Sequence, residues 1–223
     1  MRKVEIARYI DHTVLGPATS PEDVRRVCEE AKAYGFYAVC IPPTYVALAK
    51  ELLRDTGVRV CTVAGFPHGQ HVPEVKAFEA KTAVDHGADE VDMVVNVAAL
   101  KAGDYAAVLR DIRTVREEID KAPHRVVLKV ILECALLSDE EKVAGAILAK
   151  AAGADFVKTS TGFGPGGATA EDVALLRRAV GEGMGVKAAG GIRDYETAVR
   201  MIEAGATRIG ASRGVEIVQG APD

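Results

Sequence analysis

The chain has 223 residues, with 28 Lys+Arg against 32 Asp+Glu, a formal charge of −4, and 48% apolar and 27% charged residues. That is the composition of an ordinary soluble globular protein, long enough for one α/β barrel. The acidic balance, the absence of Trp and only 5% aromatics argue against a nucleic-acid or anionic-membrane surface. No apolar run approaches the roughly 18 residues that span a bilayer. The start, Met1-Arg2-Lys3-Val4-Glu5-Ile6, turns acidic at once without an apolar h-region, so a cytoplasmic protein with no secretory signal is expected. Cys28, Cys40, Cys61 and Cys134 are widely spaced and contain no C-x-x-C, so neither a disulfide framework nor a zinc site is expected.

In chain order, the first apolar run is Tyr9-Ile10-Asp11-His12. Ser20-Pro21-Glu22-Asp23 then reads as an N-cap, a proline at the first helical position and acids in the first turn. Further runs follow at 38–41, 58–63, 90–95, 125–131, 155–159, 185–188 and 207–210. Between them Ser138-Asp139-Glu140-Glu141 is a capping box, and Thr169-Ala170-Glu171-Asp172 opens another helix. Gly35, Gly87, Gly153 and Gly205 each fall where a helix ends and a strand begins, a position glycine fills cheaply. Eight runs make units of about 28 residues, the period of a (β/α)8 barrel, here a single domain over residues 1–223. A doubly wound open sheet is the second choice.

Charges interrupt the apolar runs. Side chains alternate along a strand, so Val127, Lys129 and Ile131 share a face, as do Asp92, Val94 and Asn96. Phe156 lies with Lys158, and Lys187 with Ala189. Under a helix layer such ions would be buried without partners at a penalty of several kcal/mol, so Asp92, Lys129, Lys158 and Lys187 are predicted to face the lumen. Together they carry an excess of two positive charges, and Asp11 is expected at the lumen rim. Two ammonium groups crowded in a partly dry site favour one neutral amine, a nucleophile for carbonyls. That points to Schiff-base chemistry.

Ala189-Gly190-Gly191-Ile192-Arg193 and Gly210-Ala211-Ser212-Arg213 follow the seventh and eighth runs, where barrels often bind phosphate. Ser212 is expected to cap the last helix, and Arg193 or Arg213 to add charge. Gly162, Gly164 and Gly167 form a G-x-G-x-x-G, but the helix signal begins only near Thr169 and Pro165 interrupts the turn, so a flexible barrel loop is favoured over a dinucleotide site. His68 and His71 lack a carboxylate or cysteine to complete a metal set. Cys40 reads as a small packing residue.

Taken together, Tyr9-Ile10-Asp11-His12-Thr13, Gly65-Phe66-Pro67-His68-Gly69, Leu128-Lys129-Val130-Ile131-Leu132-Glu133, Val157-Lys158-Thr159-Ser160-Thr161-Gly162 and Val186-Lys187-Ala188-Ala189-Gly190-Gly191 resemble the deoxyribose-phosphate aldolase family. The resemblance covers nearly the whole chain. It implies a class I aldolase on a TIM barrel, cleaving 2-deoxy-D-ribose 5-phosphate to D-glyceraldehyde 3-phosphate and acetaldehyde in deoxyribose phosphate catabolism. Lys158 would be the Schiff-base lysine, Lys187 its cationic neighbour and Asp92 the proton donor and acceptor. Lys129 and Asp11 would orient Asp92 and the substrate hydroxyls, while Gly162, Gly190, Gly191, Gly210 and Ser212 would bind phosphate. No cofactor or metal is implied, the partners being the sugar phosphate and acetaldehyde in a homodimer or homotetramer. Other readings of the same residues are a transaldolase or keto-acid phosphate aldolase, a nicotinamide-dependent oxidoreductase using the loop 162–167, and a silent sugar-phosphate-binding barrel.

Only three residues, Asn96, Gln70 and Gln219, carry side-chain amides, a depletion of thermolabile groups typical of heat-stable proteins. Calorimetry is expected to give a melting temperature above about 65 °C, the upper edge of the mesophile range.

Overall fold

Alternation along the strands separates two interiors. One face of each strand is aliphatic and packs under helices: Val39 and Ile41, Val60 and Ala64, Val91 and Met93, and Leu128 and Val130 all join one core of 54 buried residues. The other face carries the charges and a small separate cluster of Ala38, Cys40, Cys61 and Val63. A flat sheet with ions on one face would expose them to water or bury them under helices. Closure instead turns that face onto itself.

The computed structural model describes residues 1–223. Its strands are β1 (Ile10–Thr13), β2 (Ala38–Cys40), β3 (Arg59–Ala64), β4 (Glu90–Val94), β5 (Val127–Ile131), β6 (Phe156–Lys158), β7 (Gly185–Ala189) and β8 (Arg208–Ala211). They pair in parallel in sequence order, and β8 returns to β1 to close the barrel. The helices are α1 (Lys3–Ala7), α2 (Pro21–Tyr34), α3 (Val46–Leu52), α4 (Pro73–Asp85), α5 (Val97–Lys101), α6 (Tyr105–Ile119), α7 (Asp139–Ala151), α8 (Ala170–Val180), α9 (Tyr195–Glu203) and α10 (Gly214–Gln219). None is long and apolar enough to cross a membrane.

The capping signals act as expected. Ser20 and Ser138 form capping boxes with Asp23 and Glu141, and Thr169 accepts from the Asp172 N–H. Gly35 ends α2 in the left-handed conformation at φ 68°. After α4, α7 and α9 the positive φ comes one residue past the cap, at Gly87, Gly153 and Gly205. Two expectations need correction. Asn96 does not share the lumen with Asp92, because its side chain turns to accept from the Ala99 N–H and starts the additional helix α5. Ser212 does not cap the last helix: α10 begins at Gly214 with Arg213 at the cap position and no side-chain cap bond.

Gly185 opens β7 directly against Phe156, with which it is in register. A Cβ at Gly185 would lie 2.2 Å from the Phe156 ring. Gly185→Ala is therefore expected to lower stability by about 1–3 kcal/mol through overpacking, read as a lower urea midpoint with an unchanged slope.

Candidate active site

Seven ionisable side chains fill the charged half of the lumen. Arg208 and Glu90, the first residues of β8 and β4, pair at 3.0 Å at its floor. The Arg208 guanidinium lies 3.6 Å from the centre of the Tyr37 ring and 3.0 Å from Asp11. Lys129 contacts Glu90 at 2.5 Å and Asp92 at 2.7 Å, with Asp11 at 3.8 Å. Lys187 contacts Asp11 at 2.5 Å and Asp92 at 2.8 Å. Lys158, the last residue of β6, reaches only Asp92, at 2.9 Å, through the Oδ2 that Lys187 already holds.

The strand register explains this convergence. Lys158 lies directly beside Lys187 across the β6–β7 ladder, and Asp92 beside Lys129 across β4–β5. Two adjacent ammonium groups repel, so an intervening carboxylate is required. Asp92 supplies it. Burial opposes ionisation of Asp92, but Lys129, Lys158 and Lys187 outweigh it and hold the carboxyl well below its ordinary value. Burial likewise disfavours the Asp11 carboxylate, yet Lys187, Arg208 and Lys129 bring it down to about 2. Desolvation works against the Lys187 and Lys129 ammoniums, and the surrounding carboxylates, Asp11 first for Lys187 and Asp92 first for Lys129, nonetheless raise both above the ordinary lysine value.

The predicted lumen charge is thus corrected. Asp11 sits deep in the barrel, not at its rim, while Glu90 and Arg208 were not anticipated. Four cations face three carboxylates, an excess of one positive charge and not two. Glu90 begins the same run as Asp92 at an alternate position, and period-two spacing alone would have placed it inward. Arg208 gave a comparable signal as a charge inside an apolar run.

Above Lys158 opens a cavity of about 360 Å³. Of the seven lumen ions only Lys158 borders it. Gly162, Gly190, Gly191, Gly210 and Ser212 all line its other side, together with Arg193. Arg213 does not, and its guanidinium lies 3.9 Å from Glu216. The glycines allow close backbone approach: a Cβ on Gly167 would lie 2.3 Å from the Gly190 carbonyl oxygen, so the loops after β6 and β7 touch main chain to main chain. Because α8 begins only at Ala170, Gly167 lies outside the helix, and the G-x-G-x-x-G is a barrel loop. Phe163 from this loop meets Phe66 edge-on at 5.4 Å across the mouth. His68 and His71 are exposed in the loop before α4.

Two groups of donors could in principle hold a metal: Cys40, Cys61 and Asp92, and Asp11, Cys61 and Glu90, each with ligand atoms within 4.8 Å of one another. In both, the carboxylates are already bonded to Lys129, Lys187, Lys158 or Arg208. A divalent cation there would meet those ammonium and guanidinium groups at contact distance. The donor set suits ammonium ions better than a metal.

An eight-stranded parallel barrel with lysines and carboxylates in its lumen and a glycine-lined cavity at the carboxyl ends of its strands is the architecture of a TIM-barrel enzyme. The model of the DeoC/LacD family aldolases matches residues 6–220. A deoxyribose-phosphate aldolase of Thermococcus kodakarensis is 58% identical over 227 aligned positions, covering 100% of both chains. One of Caldanaerobacter subterraneus subsp. tengcongensis is 57% identical over 216 residues, 97% of this chain and 93% of that protein. The tetrameric deoxyribose phosphate aldolase of Aeropyrum pernix superposes with a TM-score of 0.90 at 37% identity, over 97% of this chain and 91% of its own. The chain belongs to the DeoC/LacD aldolase family.

The ion network sets the acid limit of stability. A carboxyl with a depressed folded value stabilises fully above its unfolded value, near 3.8 for Asp11, and loses that contribution as pH falls toward about 2. Asp11→Asn removes the carboxylate facing Lys187 and Arg208 and is expected to lower stability by about 3–5 kcal/mol at pH 7. Urea unfolding from pH 7 down to pH 3 is expected to show the gap between wild type and Asp11→Asn narrowing below about pH 4.

Proposed function

We propose that the protein reversibly cleaves 2-deoxy-D-ribose 5-phosphate to D-glyceraldehyde 3-phosphate and acetaldehyde, with Lys158 forming the Schiff base. The family membership and the names of the curated relatives support the reaction. The observation that carries the role of Lys158 is its position: the one lumen amine bordering the cavity is also the one with a single, shared carboxylate partner. Lys129 and Lys187 are each bonded to two carboxylates. Lys187 lies directly beside Lys158 across the β6–β7 ladder, and an amine crowded by a second cationic group is a recurrent Schiff-base nucleophile.

The mechanism follows from atom positions. Neutral Nζ of Lys158 adds to the C1 aldehyde carbon. Asp92, ionised and 2.9 Å from Nζ, accepts the proton that nitrogen loses on addition and passes it to the alkoxide, giving the carbinolamine; a second proton, drawn from solvent in the cavity, lets that hydroxyl leave as water. The protonated imine then draws electrons from the C2–C3 bond. That bond is the one broken because acetaldehyde contains the first two carbons. The C3 hydroxyl gives its proton to the Asp92 carboxylate and becomes the aldehyde of glyceraldehyde 3-phosphate, while the electron pair of the broken bond forms an enamine. Protonation at C2 and addition of water to the resulting imine release acetaldehyde and restore the amine. Lys187 stays charged, held by Asp11 and Asp92. Lys129 and Asp11 orient Asp92 and Lys187 from below.

Phosphate is held by backbone N–H groups of Gly162, Gly190, Gly191 and Gly210 with the Ser212 hydroxyl, and Arg193 adds charge at the rim. We place the reaction in the cytoplasm, in a homodimer or homotetramer, as the tetrameric relative suggests.

Borohydride reduction in the presence of acetaldehyde, followed by peptide mapping, is expected to leave a two-carbon adduct on Lys158, and an adduct only elsewhere would refute the assignment. Lys158→Leu should abolish both trapping and cleavage. Lys187→Leu should keep the circular dichroism of the barrel while losing at least about a hundredfold in kcat.

A further inference from the structure

Glu133 has no part in the mechanism above, yet it is built with unusual care. It follows β5 and has φ 59° and ψ 61°, a left-handed conformation that non-glycine residues seldom adopt. Its neighbours stay in the ladder: the Leu132 N–H donates to the Lys158 carbonyl at 3.0 Å, and the Cys134 N–H to the Thr159 carbonyl at 2.8 Å. The left-handed turn between them aims the Glu133 carboxylate along the chain that follows Lys158. There Oε1 accepts from the Thr161 N–H at 3.2 Å, and Oε2 accepts from the Thr161 hydroxyl. Thr161 Oγ1 in turn accepts from the Phe163 N–H at 3.0 Å.

The carboxylate is 4% exposed and touches no cation, so these bonds satisfy it alone. The loop is shaped to receive it, since a Cβ on Gly164 would lie 2.8 Å from the Glu133 carboxyl carbon. Every group clamped by Glu133 belongs to the segment 161–164, whose Thr161, Gly162 and Phe163 line the cavity. Gly162, between the two N–H groups that the clamp uses, is left at φ 85° with its own face open.

We infer that Glu133 is a positioning residue for recognition of the substrate's phosphate: it holds Thr161 and Phe163 so that Gly162 faces the anion, and thereby sets the preference for phosphorylated over unphosphorylated sugars. The inference rests on the proposed reaction and phosphate site. A buried carboxylate serves here better than a neutral amide. It accepts two hydrogen bonds from one residue, whereas a glutamine keeps one accepting oxygen and brings an N–H₂ group where the loop offers it another donor.

The test compares kcat/KM for 2-deoxyribose 5-phosphate and for 2-deoxyribose in wild type, Glu133→Gln, Thr161→Val and the double variant. Glu133→Gln should lower the ratio of the two values roughly tenfold, mainly through KM for the phosphorylated sugar, as expected for a lost hydrogen bond to a charged group. Thr161→Val, which removes the clamped hydroxyl, should lower the ratio similarly, and the double variant should fall no further than the single ones. Equal losses on both sugars, an unchanged ratio, or additive effects would overturn the proposal. So would loss of acetaldehyde trapping on Lys158 in Glu133→Gln, because Glu133 would then support the nucleophile. A wild type indifferent to the phosphate group would instead overturn the underlying phosphate site, and the proposal with it.

Discussion

One carboxylate, Asp92, bonds to three ammonium groups inside the barrel lumen. At an effective dielectric near 20, two unit charges about 4 Å apart interact by about 4 kcal/mol, comparable to the desolvation penalty of several kcal/mol per ion. Lys129 and Lys187, each with two close carboxylates, are compensated on these terms. Lys158, sharing one oxygen with Lys187, is not. The imbalance would be a fault in a purely structural core. At the floor of a cavity it leaves one amine with a single, shared carboxylate beside open space.

The remainder of the barrel serves that arrangement. Most barrels of this class fill their lumen with branched aliphatic side chains. Here the aliphatic residues lie almost entirely between strands and helices, in the core of 54 residues, leaving the lumen to the ions and the small cluster around Cys40 and Cys61. Arg208 and Glu90 close the floor, and Tyr37 covers the guanidinium. Aliphatic packing and the ion network therefore occupy opposite faces of the same strands. Gly167 and Gly190 then bring the loops after β6 and β7 into main-chain contact beside the cavity.

Much of this was legible in the residue order because strands impose a period of two. Lys129 between Val127 and Ile131, or Lys158 beside Phe156, had no acceptable place except an enclosed lumen. The same period applied to Glu90, which opens its run two positions before Asp92, and to Arg208, a charge inside the last run. Asn96 and Ser212 misled for a different reason. Each lies just past its strand, where a short polar side chain is free either to line the site or to bind local backbone. Asn96 took the backbone and Ser212 the cavity.

Residue order alone specifies the eight βα units, the capping residues, the inward lysines and the glycine loops, because each depends on contacts within a few residues or on strict alternation. The pairing of carboxylates with cations, the depth of Asp11 and the turn of Glu133 onto Thr161 emerge only in the folded barrel. Those outcomes depend on the register of strands far apart in the chain. Asp11 and Lys187 meet across 176 positions of sequence, and only closure of β8 onto β1 brings them together.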